Sequence, residues 1–140
     1  MNSSLVLTAP ISFSLDVAAH RRITTYFGAV GDRELIDAYE VLLNDIRYDA
    51  SMDDLIDLRG VTHMGVTSAG LHRLIALYDA RPSNGYVTRA AIIAPTDVLY
   101  GVSRMFQTLR GDATPDEVEV FRCADEALYW LARLDRKKAV

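Results

Sequence analysis

Ser68 and His72 stand four residues apart, the spacing that puts two side chains on one face of a helix, and Asp57 lies upstream. A hydroxyl, an imidazole and a carboxylate are the parts of a nucleophile whose base is oriented by a third group. Their placement argues against that chemistry. An activated serine sits on a tight turn beside an oxyanion hole, and two groups on one regular helix rarely converge on a substrate. Thr67 and Ser68 stand where a helix begins, and the free amides and dipole of a helix start favour negative charge, so a phosphate could be carried there. The simpler role is that one hydroxyl caps the helix. Gly60, Gly65 and Thr67 match three positions of the phosphate-cradling GxxxxGK[ST] loop, but Val66 replaces its lysine. Without that cation the phosphates lose their principal side-chain contact, and the glycines are better read as turn positions.

Asp57 ends an apolar strand, and ligands bind at the carboxyl ends of strands in open α/β sheets. Its simpler role is to tie down backbone amides in the following loop. A receiver-type phosphoacceptor would need further acids at the end of the first parallel strand, and Gly28 and its neighbours supply none. His20, His63 and His72 lack metal-ligand spacing, so no metal site is expected. Cys123, the single cysteine, excludes an internal disulfide and is read as an inert thiol.

The elements that must position these residues are set by composition and periodicity. A chain of 140 residues, 50% hydrophobic and 24% charged, suits one globular domain with its own core. The net charge of -4 offers no basic field for nucleic acid. The single cysteine makes a reducing cytoplasm the expected location, and since no apolar run approaches the length of a membrane span, a protein not integral to the membrane is expected.

Residues 1–10 are expected to be a flexible arm and 135–140 a solvated tail, bounding a domain over 11–134. Ile11, Phe13, Leu15 and Val17 alternate with polar residues, and Ile23, Thr25 and Phe27 do so again after a short connection, predicting an antiparallel hairpin. Gly28 to Gly31 breaks the pattern. Asp32 is then the candidate cap of a helix over 33–47 whose apolar face includes Leu35, Tyr39, Leu42 and Ile46.

Leu55, Ile56 and Leu58 read as an interior strand, followed by a helix begun by Thr67 or Ser68 and carrying Leu71, Leu74, Ile75 and Tyr78. Ala90 to Ala94 predicts a strand covered on both faces. Thr96 or Asp97 starts a third helix with Val98, Val102, Phe106 and Leu109 as its core stripe. Val118 and Val120 suit an edge strand, and Leu128, Leu131 and Leu134 a last helix. Tyr100, Met105 and Phe106 put extra bulk on the third helix, suggesting a partner or dimer face. The expected fold is α/β: a mixed sheet of about five strands, with an N-terminal antiparallel hairpin and the remainder parallel, and about four helices.

Asp57-Leu58-Arg59-Gly60-Val61-Thr62 followed by Thr67-Ser68-Ala69-Gly70-Leu71 resembles the core motif of STAS domains, the anti-sigma-factor antagonists of bacteria. The likeness extends through the hairpin, the Ala90 to Pro95 strand, the Tyr100-Gly101 to Phe106 helix and the Phe121 to Leu131 ending, which look like the SpoIIAA-like branch. Antagonists of this family carry Asp-Ser-Ser-Gly-Leu at the helix start, and a partner kinase phosphorylates a serine there. In this chain Gly65 stands near the aspartate and Ala69 in the second serine's place, leaving Ser68, then Thr67, as the matching phosphoacceptors.

The resemblance implies a non-enzymatic regulatory or interaction domain without a cofactor, binding a protein partner or a second copy. Asp57, Gly60, Gly65, Thr67, Ser68 and Thr96 form its expected partner or ligand surface. The alternative is a nucleotide- or lipid-binding pocket at the strand ends around Asp57, Gly60 and Thr96.

Overall fold

The computed structural model describes residues 2–8, 10–81, 85–113, 116–133 and 137–138. A six-stranded sheet carries β1 (Asn2–Thr8), β2 (Ile11–Asp16), β3 (Arg21–Gly31), β4 (Asp53–Gly65), β6 (Arg89–Ile93) and β7 (Glu117–Phe121), in that spatial order. The helices are α1 (Asp32–Leu43), α2 (Ser68–Asp79), α3 (Asp97–Ala113) and α4 (Ala124–Arg133). The two-residue strands β5 (Tyr86–Val87) and β8 (Lys137–Lys138) pair antiparallel beside this sheet.

The five strands read from the sequence are present. β2 and β3 form the antiparallel hairpin, β3, β4, β6 and β7 run parallel, and β7 lies at the edge. The order β3, β4, β6, β7 advances in one direction across the sheet, so crossovers of one hand put their three helices on one face. Leu35 and Leu42 of α1, Leu71 and Leu74 of α2 and Leu99 of α3 accordingly share one core with Ile56 and Ile92 of the sheet. On the other face α4 alone packs Ala127 and Leu131 against Leu55, Ala91 and Ile93. β4 and β6 are therefore apolar on both sides.

Several boundaries differ from the sequence expectation. Asn2–Thr8, expected as an arm, pairs antiparallel with β2 and extends the sheet, and residues 137–138 of the expected tail pair with β5. α1 ends at Leu43, capped by Asn44, whose side-chain amide donates to the Glu40 carbonyl at 2.8 Å. Ile46 falls beyond that cap and is 99% exposed. On α3 the inward stripe begins at Leu99, while Val98 is exposed. On α4 Ala127 and Leu131 face inward and Leu128 outward, and Leu134 lies outside the described residues.

The largest difference is the length of the two middle strands. β3 runs on past Phe27 to Gly31 and β4 past Leu58 to Gly65, pairing with each other as far as Gly31 and Gly65. β2 accompanies β3 only to Tyr26, and β6 accompanies β4 only to Asp57, so the pair projects beyond the sheet as a ribbon. Two register shifts place extra residues on β4, between Asp57 and Gly60 and between Val61 and His63. Such bulges bend a strand and re-aim the residues beyond them. At the first, Gly60 lies where a Cβ would stand 3.0 Å from the Tyr26 carbonyl oxygen and 3.1 Å from the Phe27 Cβ. Close strand approach, rather than a phosphate, explains this glycine.

The ribbon delivers two helix starts side by side, and Asp32 clasps them. Gly31, not Asp32, is the N-cap of α1, with its amide donating to the Glu34 carboxylate at 2.8 Å. Asp32 turns its carboxylate to α2, accepting the Thr67 amide at 2.8 Å and the Thr67 hydroxyl at 2.5 Å. Gly70 fits beneath it, because a Cβ there would fall inside that carboxylate. The helices' contact thus depends on a missing side chain. Gly70→Ala is expected to cost about 1–3 kcal/mol through overpacking and loss of the clasp. In an Asp32→Ala background the same substitution should cost much less. Urea unfolding of the four chains of this cycle checks it, and equal costs in both backgrounds would refute the clasp.

Candidate functional site

At the α2 entrance Thr67 is the N-cap, its hydroxyl accepting from the Gly70 amide at 3.2 Å while donating to Asp32. Both hydrogen-bonding directions of that hydroxyl are taken. Ser68 is exposed and makes no side-chain hydrogen bond among the described residues. His72 meets the Ser68 carbonyl oxygen at 2.8 Å through Nδ1, which must carry the proton because a carbonyl only accepts. Asp57 is engaged elsewhere, accepting the Arg59 amide and Nε, each at 3.0 Å, and pairing with its guanidinium at 2.9 Å. Ser68, His72 and Asp57 are therefore not assembled into a catalytic relay.

The remaining sequence candidates are dispersed. Thr96 accepts the Leu99 amide at 3.3 Å at the start of α3. Phe106 packs inward, Met105 points outward at 39% exposure, and the Tyr100 ring lies 4.3 Å beneath the Arg122 guanidinium, so the three do not make one face. Cys123 is exposed. Among the described residues no group of His, Cys, Asp or Glu could hold a metal ion.

A cavity of about 310 Å³ lies between the sheet and α1, α2 and α3. Ile56, Leu58 and Ile92 line it from the sheet, and Leu74, Val102 and Phe106 from the helices. Asp57, Gly60, Gly65, Thr67, Ser68 and Thr96 are not on its wall. Its polar end instead uses the first residues of the parallel strands.

There Arg22 and Asp54, opposite each other on β3 and β4, form a buried ion pair at 3.0 Å. Thr24 donates to the second carboxylate oxygen at 2.8 Å, and the Tyr48 ring lies 5.2 Å from the Arg22 guanidinium carbon. Burial is the largest influence on Arg22 and disfavours its charge, but Asp54 and the surrounding tyrosines more than offset it and hold the proton more firmly. The Tyr26 hydroxyl donates to that of Tyr39 at 2.9 Å, and the Tyr39 and Tyr78 rings stand 5.9 Å apart. Burial raises the pKa of Tyr26, Tyr39, Tyr48 and Tyr78, so these phenols stay neutral at physiological pH.

The sequence reading missed this cluster because its tyrosines come from four separate segments. A signal was present in Arg21-Arg22 and Asp53-Asp54, opposite charges heading two strands.

A solved structure of an uncharacterised protein of the DUF3478 family from Shewanella loihica PV-4, described as having a SpoIIAA-like fold, matches this architecture with a TM-score of 0.54. The identity is 19%, over 86% of this chain and 91% of that one. The fold is SpoIIAA-like. No family model matches the sequence, and no curated protein matches it. The SpoIIAA-like architecture bears out the expected fold class. Among the described residues no helix is long and apolar enough to cross a membrane.

Two measurements test the electrostatics. Asp54→Ala should cost about 3–5 kcal/mol in urea unfolding by stranding Arg22, whereas Arg22→Met with Asp54→Leu should cost less than that single change. A double variant less stable than Asp54→Ala would refute the stranded-charge account. The second concerns Asp32 and Asp57, both held below the ordinary 3.8, chiefly by the Thr67 hydroxyl and the Arg59 guanidinium respectively. The unfolded chain then binds more protons in that range, so their stabilisation is complete above the unfolded value and lost as pH falls through the folded one. Urea midpoints below about pH 4 should fall less steeply in Asp32→Asn than in the parent, and unchanged steepness would count against the clasp.

Proposed function

We propose that this chain is a non-enzymatic binding domain whose ligand is a small amphipathic molecule held in the cavity between the sheet and α1 to α3. One observation carries the reading: a volume of about 310 Å³, apolar along the helices, converges on a few fixed polar groups. Ligand pockets are commonly of about 300–1,000 Å³, mostly apolar, with a small number of placed polar atoms. Such a site binds and orients. Its wall presents no assembled nucleophile and base: Ser68 and His72 meet only through backbone, and the direct contact of His20 Nε2 with Ser51 Oγ at 2.9 Å lies off that wall, with the Ser51 hydroxyl donated to Asp49. The exposed thiol of Cys123 fits a reducing compartment, and the cytoplasm is the proposed location.

A second reading, docking of a protein partner at the α2 entrance, is favoured by the contrast between the two hydroxyls there. Thr67 is locked in the Asp32 clasp, while Ser68 is exposed and open to a kinase. Phosphate on Ser68 would add charge at a helix start, where a partner's affinity would respond. The same surface could serve a second copy of the chain.

A thermal-shift screen with small amphiphiles separates the readings. A ligand at a hundred times its Kd should raise apparent stability by about 2.7 kcal/mol through mass action, seen as a saturable rise in Tm. Absence of a saturable shift from every amphiphile would defeat the cavity reading and leave partner docking in its place.

A further inference from the structure

The charges on the cavity wall are balanced. Arg22, Arg81 and Arg110 face Asp54, Asp79 and Asp116, three of each sign, whereas the side chains of Arg89 and Glu117, opposite each other on β6 and β7, alternate to the α4 face. Most are already committed to one another. Arg22 is held by Asp54, and Arg110 bridges Asp79 at 3.2 Å and Asp116 at 3.4 Å. Arg89 directs its guanidinium to Asp53 at 3.1 Å and to the Leu131 carbonyl oxygen at 2.8 Å. Arg81 is at the exposed rim, where it donates to Asn44 at 3.2 Å and where water screens its charge. A carboxylate or ammonium entering this space would lose its hydration and meet no uncommitted buried countercharge.

Two neutral groups on the same wall are differently placed. The Tyr48 ring is held by Arg22, and the Tyr78 ring by Tyr39 and by Arg110, whose guanidinium carbon lies 4.9 Å from its centroid. The rings are fixed, yet neither hydroxyl has a hydrogen-bond partner among the described residues, in contrast to the Tyr26–Tyr39 pair. A phenol that stays protonated can both donate and accept. It suits an alcohol or carbonyl oxygen better than an ion.

We propose that the cavity takes an uncharged amphiphile, an apolar chain lying along α2 and α3 and ending in a hydroxyl or ester carbonyl that meets the Tyr48 and Tyr78 hydroxyls. This rests on the cavity reading and names the class of ligand for it.

Decanol, decanoate and decylammonium share one chain and differ only in the head, and isothermal titration of each into the full chain at neutral pH is the test. Decanol should bind at least tenfold more tightly than either ion. Tyr48→Phe and Tyr78→Phe keep the rings and remove the hydroxyls, and each should weaken decanol about fivefold, the worth of a neutral hydrogen bond, with little effect on the ions. Val102→Phe should abolish binding by filling the cavity, and Ala90→Leu does the same from the sheet side should the first variant fail to fold.

An ion binding as tightly as decanol, and lost on cavity filling, would overturn the uncharged class while leaving the cavity as a binding site. Decanol binding unchanged by both tyrosine substitutions would overturn the assigned polar contact. No binding by any of the three, or binding indifferent to cavity filling, would overturn the cavity reading itself.

Discussion

Arg22 and Asp54 face each other across the parallel pair β3 and β4, and their ion pair settles which residues of those strands are opposite. A buried pair is an uncertain source of net stability, because desolvation can cancel its attraction. Register is a different matter. In a sheet with one apolar face, slipping a strand by one residue turns its apolar set to water, which punishes the slip. β4 has no such safeguard, since Leu55 and Ile56 are apolar on successive positions and both faces are covered. The acids supply it. Asp54 binds Arg22 of β3 on one face, and Asp53 binds Arg89 of β6 on the other. A one-residue slip would exchange the faces of the two carboxylates and strand both guanidiniums. Two neighbouring residues thus bolt β4 to both of its partners.

That registration carries through to the helices. Because β3 and β4 are aligned at Arg22 and Asp54, their far ends reach Gly31 and Gly65 together, and α1 and α2 start close enough for Asp32 to grip Thr67. The two bulges on β4 absorb its extra residues on the way. Asp57 belongs to this machinery, since it holds the Arg59 amide where the strand first departs from regular pairing. The carboxylate expected at a strand end is thus a brace for the backbone within the strand. The polar end of the cavity and the exposed Ser68 are therefore at opposite ends of the β3–β4 pair.

Local chemistry made part of this legible. Thr67 is recognisable as a cap because it precedes Leu71, Leu74 and Ile75 at helical spacing, and the β2–β3 hairpin because Ile11, Phe13 and Leu15 alternate with serines. β1 was not, since Asn2 to Thr8 places Leu5, Val6 and Leu7 in succession and gains its strand from the neighbouring edge of β2. The length of β3 and β4 was hidden by Gly28, Gly31, Gly60 and Gly65, which look like loop residues but lie within paired strands. Gly28 shows the reason: its φ of 71° is one that few other residues accept, and the register shifts beside it. The cavity could not be read from periodicity at all. Tyr39 and Tyr78 sit on apolar helix faces where an aromatic reads as core, and only the fold brings them to Tyr26, Tyr48 and the Arg22–Asp54 pair.

The same topology explains why a cavity opens on the face of α1 to α3. Opposite α4, the small side chains of Ala91 and Ala127 let helix and sheet close together, with Ile93 and Leu131 completing the contact. There the buried guanidinium of Arg89 is met directly by the Leu131 carbonyl oxygen of α4, whereas on the opposite face three helices must span strands that begin with the buried Arg22–Asp54 pair. An apolar helix laid directly over Arg22, Thr24 and Asp54 would bury their polar atoms without improving their bonds, so tyrosines stand between them and the leucines of α1 and α2. Tyrosine accepts that position because its ring can lie against a guanidinium or another ring while its hydroxyl seeks a polar neighbour. Rings of that length hold the helices off the strand beginnings. The ion pair that aligns the sheet thereby also sets the polarity and the breadth of the space above it.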